Sequence, residues 1–161
     1  MELQPAQPHH IDSLMQWFPT AETAYQWGGP DLRFPFTAQS FVDDIKLATM
    51  ASYSLVSDGG GEYRGKLLAF GQYYLAYGRC HLARLAVAPD ARGQGLGRRL
   101  IEELLAVGGE ALGVAEYSLF VLDNNAAARN CYLALGFAPA PWPTGRKRVP
   151  GISFMIRCVQ S

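Results

Sequence analysis

Residues 92–97 read Arg-Gly-Gln-Gly-Leu-Gly, three glycines in six positions. The strand-like run Leu82–Val87 and a break at Ala88-Pro89-Asp90 precede them, and the helix-like run Leu96–Leu105 follows. A strand, a glycine turn and a helix start in that order make an anion site. Glycines let backbone N–H groups curl inward, and a helix N-terminus adds partial positive charge. The expected anion is a phosphate or pyrophosphate. Two common phosphate signatures are excluded. No Lys-Ser or Lys-Thr follows the glycines, and Gly93, Gly95 and Gly97 are spaced by two rather than as G-x-G-x-x-G. The pattern that fits is R-x-x-G-x-G at Arg92, Gly95 and Gly97. A glycine-rich turn with no ligand is the alternative.

A second segment, 123–137, reads DNNAAARNCYLALGF. Asn125 can cap a helix whose apolar face carries Ala128, Cys131, Tyr132 and Leu135, and Gly136 stands where a left-handed residue ends it. With Leu85-Ala86-Val87, Arg92, Gly95 and Gly97 upstream and Asn125, Ala128, Tyr132, Gly136 and Phe137 in register downstream, the chain resembles the GNAT superfamily, the Gcn5-related N-acetyltransferases. The resemblance runs from about residue 66 to 140, where N-x-x-A-x-x-x-Y-x-x-x-G-F follows the glycine motif.

The resemblance implies acetyl-CoA, or another acyl-CoA, as donor. It places the pyrophosphate on the backbone of Arg92, Gly93, Gln94, Gly95, Leu96 and Gly97, with Arg98 and Arg99 as further phosphate contacts or exposed helix residues. Leu85, Ala86 and Val87 would meet the pantetheine arm, and Asn125 and Ala128 would lie against it. Tyr132 takes the position of the family's tyrosine that protonates the departing thiolate; the competing reading is a packed aromatic. A thiol of pKa ~8.5 needs only about 2 kcal/mol of such help. Deprotonating the acceptor asks for more, roughly 4–5 kcal/mol for an alkylamine of pKa ~10.4 but about 1 kcal/mol for a peptide α-amine. Many relatives carry an acidic or amide residue just before the L-x-V run, where this chain has Arg84. His81 is the candidate base, since His81-Leu82 resembles the arylalkylamine acetyltransferase branch; that branch's second histidine is replaced by Ala83. A satisfied strand histidine is the competing role, and Glu22 and Asp31 are further candidates. Tyr25, Trp27, Phe34, Tyr73 and Tyr74 could wall an acceptor or simply pack.

The elements that must position these groups follow from periodicity. Leu3–Ala6 reads as a short strand, His10–Phe18 as a helix and Pro19–Phe36 as a long aromatic connection. Thr37 caps a helix to about Thr49; Tyr53–Ser57 is a strand, Asp58–Gly61 a turn, and Lys66–Tyr77 with Cys80–Val87 a hairpin. Tyr117–Leu122 reads as a buried strand, and Ile152–Cys158 as the strand that closes the sheet. The fold class is α/β, a mixed, largely antiparallel central sheet of about six to seven strands flanked by about four helices. The resemblance adds a splay between the strands near Leu85 and Leu119.

The 161 residues suit a single domain, 1–161, and no apolar run approaches a membrane span or a secretory leader. Cys80, Cys131 and Cys158 lack metal spacing and read as reduced thiols, so the expected location is cytoplasmic, without metal or membrane partner. Residues 1–65 hold eight acidic and three basic side chains, and 66–161 six acidic and eleven basic. The acidic front half could favour a cationic amine, or be a solvated surface. Arg146-Lys147-Arg148 reads as a solvated loop, too small a patch for nucleic acid. The expected activity is transfer of acetyl from acetyl-CoA to a primary amine, on a small molecule or a peptide, by direct attack in a ternary complex. A non-catalytic acyl-CoA-binding or sensor domain is the alternative, and a homodimer is an open option.

Overall fold

Three helices begin where a side chain takes a free N–H group, at Thr20, Thr37 and Asn125. The computed structural model describes residues 1–61 and 64–158; Glu62, counted above in the acidic half, lies outside them. Strands β1 (Glu2–Pro5), β2 (Ala51–Val56), β3 (Leu67–Ala76), β4 (Arg79–Val87), β5 (Glu116–Leu122), β6 (Ala138–Ala140) and β7 (Ile152–Cys158) form one sheet in the order β1-β2-β3-β4-β5-β7-β6. The helices are α1 (Pro8–Met15), α2 (Ala21–Gly28), α3 (Ala38–Asp44), α4 (Leu96–Leu112) and α5 (Ala126–Ala134). The sheet is mixed. β4 runs parallel to β5, with Cys80 opposite Tyr117 and His81 opposite Ser118, while β1–β2, β5–β7 and β6–β7 are antiparallel.

Four expectations are corrected. The connection 19–36 contains α2, whose N-cap Thr20 accepts from the Thr23 N–H at 3.1 Å while Thr23 returns a side-chain bond. α3 ends at Asp44 instead of Thr49, because Lys46 is left-handed at φ 57°. Ile152–Cys158 does not close the sheet; β6 lies outside it. α4 runs on past Leu105 through Gly108 and Gly109 to Leu112. The hairpin between β3 and β4 is as expected, with Tyr77 and Gly78 both left-handed at φ 57° and 69°, the pair a tight primed turn requires.

The described residues gather into two compact units, 1–72 with 84–100 and 73–83 with 101–158. In the first, Trp27 stacks on Phe18 at 4.2 Å and on Phe41 at 5.8 Å, beside buried Leu14, Ile45 and Phe70. In the second, the glycines of α4 admit a close neighbour. A Cβ on Gly108 would stand 2.7 Å from the Cys80 sulfur, and one on Gly109 would meet the Tyr117 hydroxyl. That hydroxyl donates to the Leu105 carbonyl at 2.9 Å. Packing thus overrides the low helix propensity of a Gly-Gly pair.

Gly109→Ala tests this. Helix propensity alone predicts a gain of about 1 kcal/mol. The collision with Tyr117 should reverse it to a net loss of roughly 1–3 kcal/mol, a melting-temperature fall of about 2–10 °C. An unchanged or raised melting temperature would show that Tyr117 yields freely.

Candidate functional site

The glycine loop sits where the pattern predicts it, between a short 3-10 turn at Pro89–Ala91 and α4. Leu96 and Leu100 are buried and fix the first turn of α4, while residues 92–95 are exposed. Gly93 and Gly95 take φ of 79° and 76°, a conformation that costs other residues strain. Gly97 differs. Its backbone is not left-handed, and a Cβ there would meet only a Val87 methyl at an ordinary 3.6 Å. Nothing within the protein demands glycine at Gly97, whereas a group seated closely on the loop would. The first N–H groups of a helix have no carbonyls behind them. An exposed, glycine-lined loop that opens such a helix fits a pyrophosphate. Arg99 is turned elsewhere: its guanidinium donates to the Met1 carbonyl at 3.2 Å. Arg98 is exposed, and Leu85, Ala86 and Val87 are half-buried.

Just before Leu85, Arg84 takes φ of 49° inside β4. Its guanidinium donates to the Gln72 side-chain oxygen at 2.9 Å and to the Asp44 carbonyl at 3.4 Å. Gln72, wholly buried, donates in turn to the Ile45 carbonyl and the Ser52 hydroxyl. The cation that replaces the family's acidic or amide residue is therefore tied into a polar network.

In the second unit, Asn125 caps α5, accepting from the Ala128 N–H at 3.2 Å, and Gly136 ends the helix at φ 94°. Ala128, Cys131 and Tyr132 are half-buried and Leu135 is buried, the face the spacing predicts. Burial pushes the Tyr132 phenol up to about 12, with Cys131 adding to the rise. It therefore stays protonated at neutral pH. Its ring packs edge-on to Phe137, and its hydroxyl has no hydrogen-bond partner among the described residues.

His81 is 2 % exposed, with Nδ1 2.8 Å from the Ser118 hydroxyl. Tyr74, Tyr77, Phe120 and Phe154 surround its ring at 4.9–6.4 Å. Burial, with the Arg146 charge second, pushes it down to about 4, so it is neutral at physiological pH. An imidazole held this low can receive an amine proton only in passing. Of the other aromatics, Tyr74 joins His81, while Trp27 is stacked into the front core, Tyr73 is buried, and Tyr25 and Phe34 are exposed. Glu22 and Asp31 are exposed as well. Ser118, Tyr77 and Phe120 are neighbours of His81 that the sequence does not single out, and Arg146 is one it reads only as part of a solvated loop. The strand pairing of His81 with Ser118 is the relation that would have exposed the first of them. Among the described residues no group of acidic, histidine or cysteine side chains could hold a metal, and no helix is long and apolar enough to cross a membrane.

A family model described as the acetyltransferase (GNAT) family matches residues 12–137. The chain is 42 % identical over 76 residues to the ribosomal protein bS18 alanine N-acetyltransferase of Escherichia coli K12, covering 47 % of this chain and 51 % of that protein. It is 38 % identical over 82 residues to the thialysine N-epsilon-acetyltransferase of Mus musculus, covering 47 % and 48 %. The chain thus spans about half the length of the curated relatives it matches. In fold it resembles the PaiA N-acetyltransferase of Thermoplasma acidophilum, solved in complex with coenzyme A, with a TM-score of 0.70 at 14 % identity over 98 % of both chains.

The burial of His81 predicts an acid-labile fold. With a pKa of about 4 folded and ~6.5 unfolded, the folded state binds fewer protons, so stability is complete above pH ~6.5 and falls as pH drops toward 4. The loss from this group is up to roughly 3 kcal/mol, or about 6–12 °C in melting temperature. His10 is lowered by burial and by His9, and contributes in the same direction. Melting curves between pH 7 and 4 should be distinctly flatter for His81→Gln than for the unaltered protein. Equal slopes would show that His81 does not govern the loss.

Proposed function

Because the chain belongs to the acetyltransferase (GNAT) family, we propose that it transfers an acetyl group from acetyl-CoA to a primary amine by direct attack within a ternary complex. The observation that carries this reading is Gly97. It is half-buried at the second position of α4, just after the exposed residues 92–95, and no contact within the protein calls for a glycine there. When bound, acetyl-CoA supplies the acetyl group as a reactive thioester. The backbone of Arg92–Gly97 holds its pyrophosphate, with Arg98 as a further cation, and the half-buried strand Leu85–Val87 offers backbone groups to the pantetheine amides. Asn125 and Ala128 begin the helix that carries Tyr132. The open Tyr132 hydroxyl donates a hydrogen bond to the departing sulfur; at a pKa near 12 it is a donor throughout the working range.

The acceptor in this reading is an amine that needs little help to lose its proton. His81 receives that proton transiently, with Ser118 as its hydrogen-bond partner. A site whose one histidine is held at about 4 suits peptide or protein α-amines of pKa ~7.7–8.0 better than alkylamines of pKa ~10.4. The likeness to an alanine N-acetyltransferase supports the same choice. Cys80, Cys131 and Cys158 form no disulfide, which is consistent with a cytoplasmic setting, and sedimentation would test a homodimer.

Two variants test the reading. Gly97→Ala should leave the melting temperature of the ligand-free protein unchanged or slightly raised, since Ala favours helix by about 1 kcal/mol, yet weaken CoA binding at least about tenfold. Unchanged CoA affinity would remove the loop from the cofactor site. Tyr132→Phe should slow acetylation of an N-terminal peptide amine by about 100-fold, measured as CoA thiol release. It should largely keep the thermal shift caused by acetyl-CoA. No thermal shift of the unaltered protein at millimolar acetyl-CoA would sink the proposal.

A further inference from the structure

Two cations of the basic run Arg146-Lys147-Arg148 flank a pair of rings. The Arg146 guanidinium lies 4.6 Å above the Phe120 ring and donates to the Tyr77 hydroxyl at 3.2 Å. Phe120 meets Trp142 at 5.1 Å, and the Arg148 guanidinium lies 4.9 Å from the Trp142 ring centre. The Trp142 indole N–H donates to the Arg146 carbonyl at 2.9 Å, tying 142–146 into a closed turn. Three other cations pair with acids: Arg33 with Asp44, Lys66 with Asp90, Arg79 with Glu116. Arg146, Lys147 and Arg148 have no carboxylate within ion-pair distance among the described residues.

Stacking on a ring orders a guanidinium without neutralising it. A guanidinium ordered in this way and still exposed, as Arg146 and Arg148 are, can bind a carboxylate at small further entropy cost. The stack also has an address. Tyr77 and Phe120, the two residues Arg146 touches, both pack against the His81 ring, at 5.4 Å and 4.9 Å. His81 is six residues before Val87 in the same strand, and so lies upstream of the glycine loop in sequence.

We infer that the stack of Phe120, Arg146, Trp142 and Arg148 binds a carboxylate carried by the acceptor, so that the acceptor class is an amine with an acidic group close by. This rests on the acetyltransferase reading and narrows it. Polyamines and other polycations are excluded by the same charge. The carboxylate has two sources: the main-chain carboxylate of a free amino acid, or an acidic side chain next to a peptide N-terminus.

The experiment compares alanine with alaninamide, and the peptide Ala-Glu-Glu-amide with Ala-Gln-Gln-amide, on the full chain, with spermidine as the polycation. Turnover is read as CoA thiol release, and binding to the CoA-loaded protein by calorimetry. The acid member of one pair should be preferred by about tenfold or more, and the pair that shows it identifies the source. In Arg146→Gln that ratio should collapse toward one, and Arg146→Lys should restore part of it. Arg148→Gln, which leaves Phe120 and Tyr77 untouched, provides the second variant should Arg146→Gln fail to fold. The inference is overturned by acid-to-amide ratios near one in both pairs, by spermidine outrunning the acids, or by Arg146→Gln weakening CoA itself with the ratio intact. Acid-selective binding without turnover would leave this inference standing and defeat the transfer reading, whereas loss of CoA binding in Gly97→Ala bears on the cofactor alone.

Discussion

One left-handed residue in the middle of a strand sets the terms for everything around it. Arg84 takes φ of 49° within β4, a conformation that costs an L-residue on the order of 1 kcal/mol. Its hydrogen bonds to Gln72 and the Asp44 carbonyl help to offset that cost, and the wholly buried Gln72 amide is itself held by Ile45 and Ser52. The break interrupts the strand's alternation. Upstream, Cys80 and His81 pair with β5; downstream, Leu85–Val87 are half-buried and lead into the glycine loop. The division between the two compact units falls at the same place, between Ala83 and Arg84.

Tyr132 and His81, the two ionisable groups proposed for the chemistry, are pushed in opposite directions by one cause. Burial raises Tyr132 to about 12 and lowers His81 to about 4, so both are neutral across the whole physiological range. A site of neutral groups contributes by orientation and hydrogen bonding more than by holding a proton. That is enough for a thioester and an amine already near its own pKa, and poorly matched to a strongly basic amine.

The glycine loop and the capped helix α5 were legible because their rules are local. Left-handed glycines at Gly93 and Gly95, a capping Asn125 and a terminating Gly136 each depend on residues a few positions away. The misreadings share the opposite character. α2 was hidden because its capping partner is Thr23, where an acidic or amide residue is the familiar signal. α4 looked finished at Leu105 because the reason for tolerating Gly108 and Gly109 lies on other strands, at Cys80 and Tyr117. The partner of His81 stands 37 residues away, on a strand whose place in the sheet no periodicity announces. Arg146 and Arg148 are exposed, as a solvated loop implies, but their stacking on rings leaves no signature in charge spacing.

The stacked rings of the front unit bear on how such a protein can change over generations. Trp27 fastens α2 to Phe18, Phe41 and Phe70, while Tyr25 on the same helix is 56 % exposed. Substitutions on an outer face supported in this way usually alter stability by no more than about 0.5 kcal/mol. Lineages can therefore drift through many side chains at Tyr25 and its exposed neighbours without loosening the scaffold. The internal rings are held fixed by packing, and the surface of α2 is free raw material for divergence.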